Sequence, residues 1–453
     1  MIRSTPIAQD ISTQENELLE LQGLQPGVLV SFESGEEDQV LSLLLDQAGL
    51  QAVAHSRDYA NDAVDVAQVS QDADVIIFDR LGVAVLTADP EQAEQAISLS
   101  TVGTAITAIE PEPIFYAFGG LAPDLLPAYL EGYRDAVNHL YTKLSGTAES
   151  QVTSQQTISF QDTATHTWGL AATGVDKSSL SGQGVRVAVL DTGLDLKHPD
   201  FLSRTIIHQS FIPGQDVQDG NGHGTHCVGT ACGPLSPGLA VRRYGIAYEA
   251  ELYVGKVLSN QGRALGRSTL SGIEWAISQG CQVVSLSLGG AVKAGQGYSI
   301  VFDHLGQRAL SQNCLLIAAA GNDSRRERGV VVPVSSPANC PSFMAVAAVD
   351  DRLQVADFSN GGINPQGGRV DIAGPGVAVY SSAPDPANSL SWQTRYDSLD
   401  GTSMATPHVA GIAALLRQAN PSLSADQLWR LLTSTAMNLP LSAQDVGAGL
   451  IKI

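Results

Sequence analysis

The chain has 453 residues, 43% hydrophobic and 16% charged, a balance that fits two or three globular domains and excludes a largely disordered chain. Its 25 Lys and Arg face 46 Asp and Glu, a formal net charge of −21, so a phosphate backbone is repelled and nucleic acid is not an expected partner. No apolar run reaches the roughly 18 residues a membrane span requires, so no membrane partner is expected either.

The start, "MIRSTPIAQDISTQENELLELQG", has no continuous apolar segment and no small-residue cleavage site after one. It does not read as a secretory signal, which places the protein in the cytoplasm by default, or outside the cell if a leader has been removed. A first domain is expected at 1–118, with its core at about 27–118. There "GVLVSF" (27–32) predicts a strand and "EEDQVLSLLLDQAGL" (36–50) a helix. A short strand at "QAVAHS", two strands around "DRLG" within 73–88, a second helix at "PEQAEQAISLST" and the extended "ITAIEPEPIFYAF" follow. This is the order of a small split-βαβ, ferredoxin-like α+β unit. In 119–165 a helix over 122–144 carries Leu126, Tyr129, Tyr133, Val137, Leu140 and Leu144 on one stripe, and a Ser/Thr/Gln-rich linker follows it.

From about 166 to 453 the texture changes. "VRVAVLDTG", "ELYVGKVL", "CQVVSLSLGG", "CLLIAAAGN" and "FMAVAAVD" are aliphatic runs closed by Gly, Asn or Asp, alternating with helical stretches such as "HGTHCVGTACG" and "TLSGIEWAISQG". Runs of that kind predict strands buried on both faces, hence an α/β domain with a mainly parallel sheet. Ligands of such sheets bind beyond the carboxyl ends of the strands. Cys227, Cys232, Cys281, Cys314 and Cys340 are odd in number and fit no zinc spacing, so they are read as small buried hydrophobes, with one or two disulfides left open.

Four polar residues sit at such ends. Asp191 closes "VRVAVL", His223 opens "HGTHCVGTACG", Asn322 follows "LLIAAAG", and Ser403 opens a helix in "GTSMATPHVAGIAALL". A serine nucleophile needs an adjacent base, and the base an orienting carboxylate, which are the types that Ser403, His223 and Asp191 supply. The helix N-terminus aims the Ser403 N–H at a developing oxyanion, and the Asn322 amide adds a second donor. His226 and His408 are read as packing or hydrogen-bonding residues. A metalloprotease "HExxH" is absent, and "GTSMA" lacks the final glycine of the G-x-S-x-G elbow.

With "VAVLDTGLDLKHPDF", "DGNGHGTHCVGT", "AAAGN" and "GTSMATPHVAG" in that order, the second half of the chain resembles the subtilisin-like serine proteases. The resemblance implies a three-layer α/β/α fold and a serine endopeptidase working through an acyl-enzyme, with Asp191, His223 and Ser403 catalytic and Asn322 with Ser403 forming the oxyanion hole. It matches "SLGG" (287–290) and "NQGRA" (260–264) to the segments that pair with peptide substrates, hence Ser287, Leu288, Gly289, Gly262, Arg263 and Ala264. Arg263 would favour an acidic substrate residue, and Asp323 a basic one at the cleavage position. The first domain resembles the family's propeptide, an intramolecular inhibitor and folding aid. Its tail "IEPEPIFYAF" would lie in the active site, with self-cleavage near Phe118 and final maturation anywhere up to Thr167. A monomeric proenzyme acting on peptide or protein substrates is expected. No cofactor is needed for catalysis and no metal is assigned to residues. Asp200, in "HPDF", matches a family position that often holds structural calcium, yet "GPLSPGLAVRRYGIA" (233–247) lacks the asparagines expected beside it and carries two arginines.

Overall fold

Alternating apolar residues in the first domain build a sheet with two different faces. The computed structural model describes residues 26–33, 35–48, 50, 52–56, 73–87, 105–118, 159–238, 241–385 and 395–453. Strand β1 (Val28–Phe32) leads into helix α1 (Glu37–Ala48), whose first turn carries Glu37 and Asp38 against the positive end of the helix. Strands β2 (Val53–His55), β3 (Val75–Phe78), β4 (Val83–Leu86) and β5 (Ile106–Pro111) complete the sheet in the order β2-β3-β4-β1-β5. Every pairing is antiparallel except β2 with β3. The short strand at "QAVAHS" thus lies at one edge of a five-stranded sheet. Val28, Val30, Phe32, Val75 and Ile77 form a core of their own, whereas the alternate Leu29, Ile76 and Phe78 join the core of the larger domain. Period-two alternation therefore glues one sheet face to the second domain. The expected second helix, the helix over 122–144 and the linker up to residue 158 lie outside the described residues.

After β5, strand β6 (Ile114–Ala117) leaves the sheet. The chain is described again from residue 159, where Phe160 N–H donates to Asp351 O and Asp162 pairs with Arg242, so this stretch already lies on the second domain. Helix α2 (Trp168–Thr173) ends at Gly174, which adopts the left-handed conformation. Strands β7 (Arg186–Asp191), β8 (Ile206–Ser210) and, after helix α3 (His223–Cys232), β9 (Glu251–Lys256) follow. Next come β10 (Arg263–Leu265), α4 (Gly266–Ser278), β11 (Val283–Leu286), β12 (Leu288–Gly289), α5 (Ile300–Ser311), β13 (Leu315–Ala319), β14 (Met344–Val349) and β15 (Ile372–Pro375). The hairpin β16 (Val379–Ser382) and β17 (Tyr396–Leu399) precedes α6 (Thr402–Ala419), α7 (Ala425–Thr435) and α8 (Ala443–Val446).

Seven of these strands form one parallel sheet, ordered β15-β14-β13-β11-β7-β9-β8. Apart from the exposed first residues Arg186 and Glu251, its inner strands are buried along their length, as their aliphatic sequences predict. Helix α6 packs against β11, β13 and β14 on one side and α3 on the other, and its small residues Ala405, Ala410, Ala413 and Ala414 let it run through that core. All five cysteines are buried and free. No described helix is long and apolar enough to cross a membrane.

Candidate active site

Strands β7, β11 and β13 are neighbours in the sheet, and their carboxyl ends deliver Asp191, Ser287 and, three residues past β13, Asn322 to one rim. The N-termini of α3 and α6 bring His223 and Ser403 to the same place. Asp191 Oδ1 accepts from His223 Nδ1 at 2.7 Å and from Thr192 N at 2.7 Å, while its Oδ2 is buried without a partner. The Asp191 turn and the His223 helix are tied by Asp219. Its Oδ1 accepts from Thr192 Oγ1 at 3.0 Å, its Oδ2 from Thr225 Oγ1 at 2.7 Å, and Thr192 Oγ1 in turn accepts from Gly224 N at 2.8 Å. The sequence reading missed this tie, although Asp219 and Thr192 lie inside the quoted motifs.

Burial opposes a charge on the His223 imidazole, but the adjoining Asp191 carboxylate, helped by Cys227, raises its pKa well above the usual histidine range. Its Nε2 lies 3.1 Å from the carbonyl oxygen of Phe118. Both ring nitrogens therefore face acceptor oxygens, an arrangement that fits the doubly protonated imidazolium. The Ser403 hydroxyl does not meet the imidazole in this state. Its Oγ donates to Ser287 O at 3.2 Å, and the Ser403 carbonyl accepts from Ser287 Oγ at 2.9 Å and from Cys227 Sγ at 3.5 Å. That carbonyl is available because Pro407, four residues on within α6, has no N–H to give it.

Asn322 Oδ1 accepts from both Thr402 N (2.9 Å) and Thr402 Oγ1 (2.8 Å), which turns the Nδ2 donor the other way. A Cβ on Gly401 would sit 3.0 Å from that Nδ2 and 3.2 Å from Phe118 O, so the bare glycine keeps open the space between donor and carbonyl. Strand β6 fills the groove. It pairs antiparallel with β10 (Tyr116 opposite Arg263, Phe115 opposite Ala264) and with β12 (Ala117 opposite Leu288, Tyr116 opposite Gly289). Ala117 N–H also donates to Gly262 O at 2.8 Å. The buried Phe118 ring lies on Gly289, where a Cβ would come within 2.6 Å of it, and Phe115 meets Phe302 edge to face at 5.3 Å.

Leu288, Gly289, Gly262, Arg263 and Ala264, read from the sequence as substrate-pairing residues, contact the tail, while Ser287 lies one residue before the ladder and donates its Oγ to Ser403 O. Asp323 is exposed, and its Oδ2 accepts from Asn360 Nδ2 at 2.9 Å. The side chain resting on Gly289 is aromatic rather than basic. Flanking contacts extend the docking: Glu112 forks onto Arg267, its Oε1 accepting from both Arg267 N (2.7 Å) and Nε (2.9 Å). Glu110 caps α5 through Ser299 Oγ and Ile300 N (2.7 Å). Glu274, on α4, accepts from Ser56 Oγ (2.9 Å) and Arg80 N (3.2 Å).

His226 gives Nε2 to Val379 O at 2.9 Å and His408 gives Nδ1 to Met404 O at 2.8 Å; burial pushes their pKa values to about 3 and about 4, so both are neutral structural groups. Asp191, His223 and Cys227 present three ligand-type atoms within 4.8 Å of one another, but the first two are already joined by their hydrogen bond. At Asp200, Oδ2 accepts from the hydroxyls of Tyr244 (2.5 Å) and Tyr396 (2.9 Å). That carboxylate oxygen is met by O–H donors rather than by further oxygen ligands, so the residues at Asp200 do not fit a calcium ion.

This convergence on one sheet rim of an acid-paired imidazole, a helix-borne serine and an asparagine amide marks a serine hydrolase built on a parallel α/β/α fold. Residues 182–449 match the Subtilase family, Peptidase S8, and the chain belongs to that family; it is a serine endopeptidase. It is 40% identical to subtilisin BL of Lederbergia lenta over 288 residues, 63% of this chain and 96% of that one. With subtilisin DY of Bacillus licheniformis it shares 36% over 285 residues, 63% of this chain and 94% of that one. Among solved structures it resembles fervidolysin from Fervidobacterium pennivorans, described as a keratinolytic enzyme related to subtilisin, with a TM-score of 0.65 at 22% identity. That likeness spans 94% of this chain and 60% of that one, and it bears on fold alone. Subtilisins need no cofactor for catalysis.

Proposed function

We propose that this chain is a self-processing proenzyme: residues 1–118 act as inhibitor and folding aid, residues 166–453 are the protease, and the first bond cut follows Phe118. The observation that carries the reading is β6 laid between β10 and β12 with the Phe118 carbonyl oxygen 3.1 Å from His223 Nε2.

In the reaction His223, as neutral imidazole, takes the Ser403 Oγ proton while Oγ bonds to the Phe118 carbonyl carbon. Asp191 keeps the ring oriented through Nδ1 and balances its charge. The carbonyl oxygen becomes an oxyanion and turns from the imidazole toward Asn322 Nδ2 and the Ser403 N–H. As the carbon–nitrogen bond to Gly119 breaks, the imidazolium protonates the leaving amine. Water then gives a proton to the same imidazole as its oxygen bonds to the acyl carbon, and the imidazolium returns a proton to Ser403 Oγ as the Phe118 carboxylate leaves. Peptide and protein substrates follow the same route, held by main-chain pairing with β10 and β12.

Purified wild-type chain should yield a fragment ending at Phe118 by intact mass and a new terminus at Gly119 by N-terminal sequencing, trimming further up to Thr167. Ser403→Ala should remain at full mass. A Ser403→Ala chain that is cut at the wild-type rate in pure form sinks the self-processing reading.

A further inference from the structure

Arg263 is a groove residue whose guanidinium the docked tail leaves unused. It stands directly opposite Tyr116, the third residue before the bond at Phe118. The Ala117 N–H to Gly262 O bond brackets this pair as the non-hydrogen-bonded kind, in which facing side chains share one face and approach most closely. Within the described residues no hydrogen bond or ion pair engages the guanidinium, and Arg263 Nε is buried without a partner. Two acids on or beside the groove are already engaged, Glu112 by Arg267 and Asp323 by Asn360. A buried donor with nothing to bond is costly, and a carboxylate reaching it removes that cost as well as adding an ion pair.

Building on the endopeptidase reading, we propose that Arg263 selects substrates with an acidic residue at the third position before the scissile bond. A net charge of −21 repels acidic peptides at a distance, so the selection comes from contact at Arg263, not from steering. The tail presents Tyr116 where the preferred acid belongs. Acidic substrates therefore gain a contact that the inhibitor lacks, and they compete better with it once it is cut.

Quenched peptides built on the sequence from Pro113 to Gly120, with Glu, Gln or Lys at the place of Tyr116, test the selection by kcat/KM. Glu should exceed Gln by about fivefold, the upper range for a partly exposed ion pair, Lys should fall below Gln, and Arg263→Glu should reverse the order. A second arm needs no turnover: in full-length Ser403→Ala, Tyr116→Glu should unfold at a higher temperature than Tyr116→Lys, again with reversal in Arg263→Glu. A charge order at this position that is unaltered by Arg263→Glu, in either arm, overturns the proposal. Docking that follows charge while none of the three peptides is cut supports the pairing and sinks the endopeptidase reading, so the two failures are distinguishable.

Discussion

At the scale of single residues, Asn322 divides its amide between two tasks. Its Oδ1 holds Thr402, the first residue of the serine helix, and its Nδ2 faces the space reserved by Gly401. Asn322→Ala should lower kcat by about 10²–10³-fold, the size known for the oxyanion asparagine of a subtilisin, with little change in KM, measured by steady-state hydrolysis of a single peptide. A KM that rises while kcat holds would assign Asn322 to binding instead. Asp191, His223, Asn322 and Ser403 were legible in the sequence because each follows or opens an element whose apolar run is unmistakable. Asp219, Thr192 and Ser287 were not legible as the braces they are. Their hydrogen bonds join segments distant in sequence, and no periodicity reports such a bond.

Among the elements, α6 shows how a local rule is broken for the site. A proline six residues into a helix removes a ladder bond, normally at a cost of about 3 kcal/mol against alanine. Here the freed Ser403 carbonyl is taken by Ser287 Oγ at the end of β11, so the Ser403 backbone is fastened to the sheet rim rather than to its own helix. Pro407→Ala supplies an N–H that competes for this carbonyl. The helix should be no less stable by thermal unfolding, while kcat falls by about tenfold because the hydroxyl is held less rigidly. An unchanged kcat would show that Ser287 does not position Ser403. The inner strands were readable from their aliphatic runs. Strand β8 was not, because it forms the sheet edge and leaves Ile207 and His208 exposed. Nor was the β16–β17 hairpin, whose Tyr396 reaches Asp200 across the fold; its sequence lacks the alternation that marks a half-buried strand.

For the whole molecule, the contact between the first sheet and the protease fold should depend on pH. Burial raises the pKa of Glu110 where it caps α5, and likewise that of Glu274 beneath Ser56 and Arg80. His223 stands well above its usual value beside Asp191, with the tail carbonyl on its other nitrogen. The two carboxyl shifts come from burial at the contact, so the docked state holds protons that the undocked carboxyls release more readily. By linkage this contribution to docking is fully present below the ordinary carboxyl values, and is lost as pH climbs through the raised ones. The same rise frees the neutral imidazole that attack on Phe118 requires, so acid should keep the tail bound and uncut while alkali promotes both cleavage and departure. Wild-type processing followed by mass should accelerate from mildly acidic to alkaline pH. In full-length Ser403→Ala, amide exchange at Phe115 and Ala117, corrected for its intrinsic pH dependence, should show protection declining over the same range. Glu110→Gln should flatten that decline by removing one of the two carboxyls. Protection that grows with pH, or a decline unaltered by Glu110→Gln, would mean that these carboxyls do not govern release.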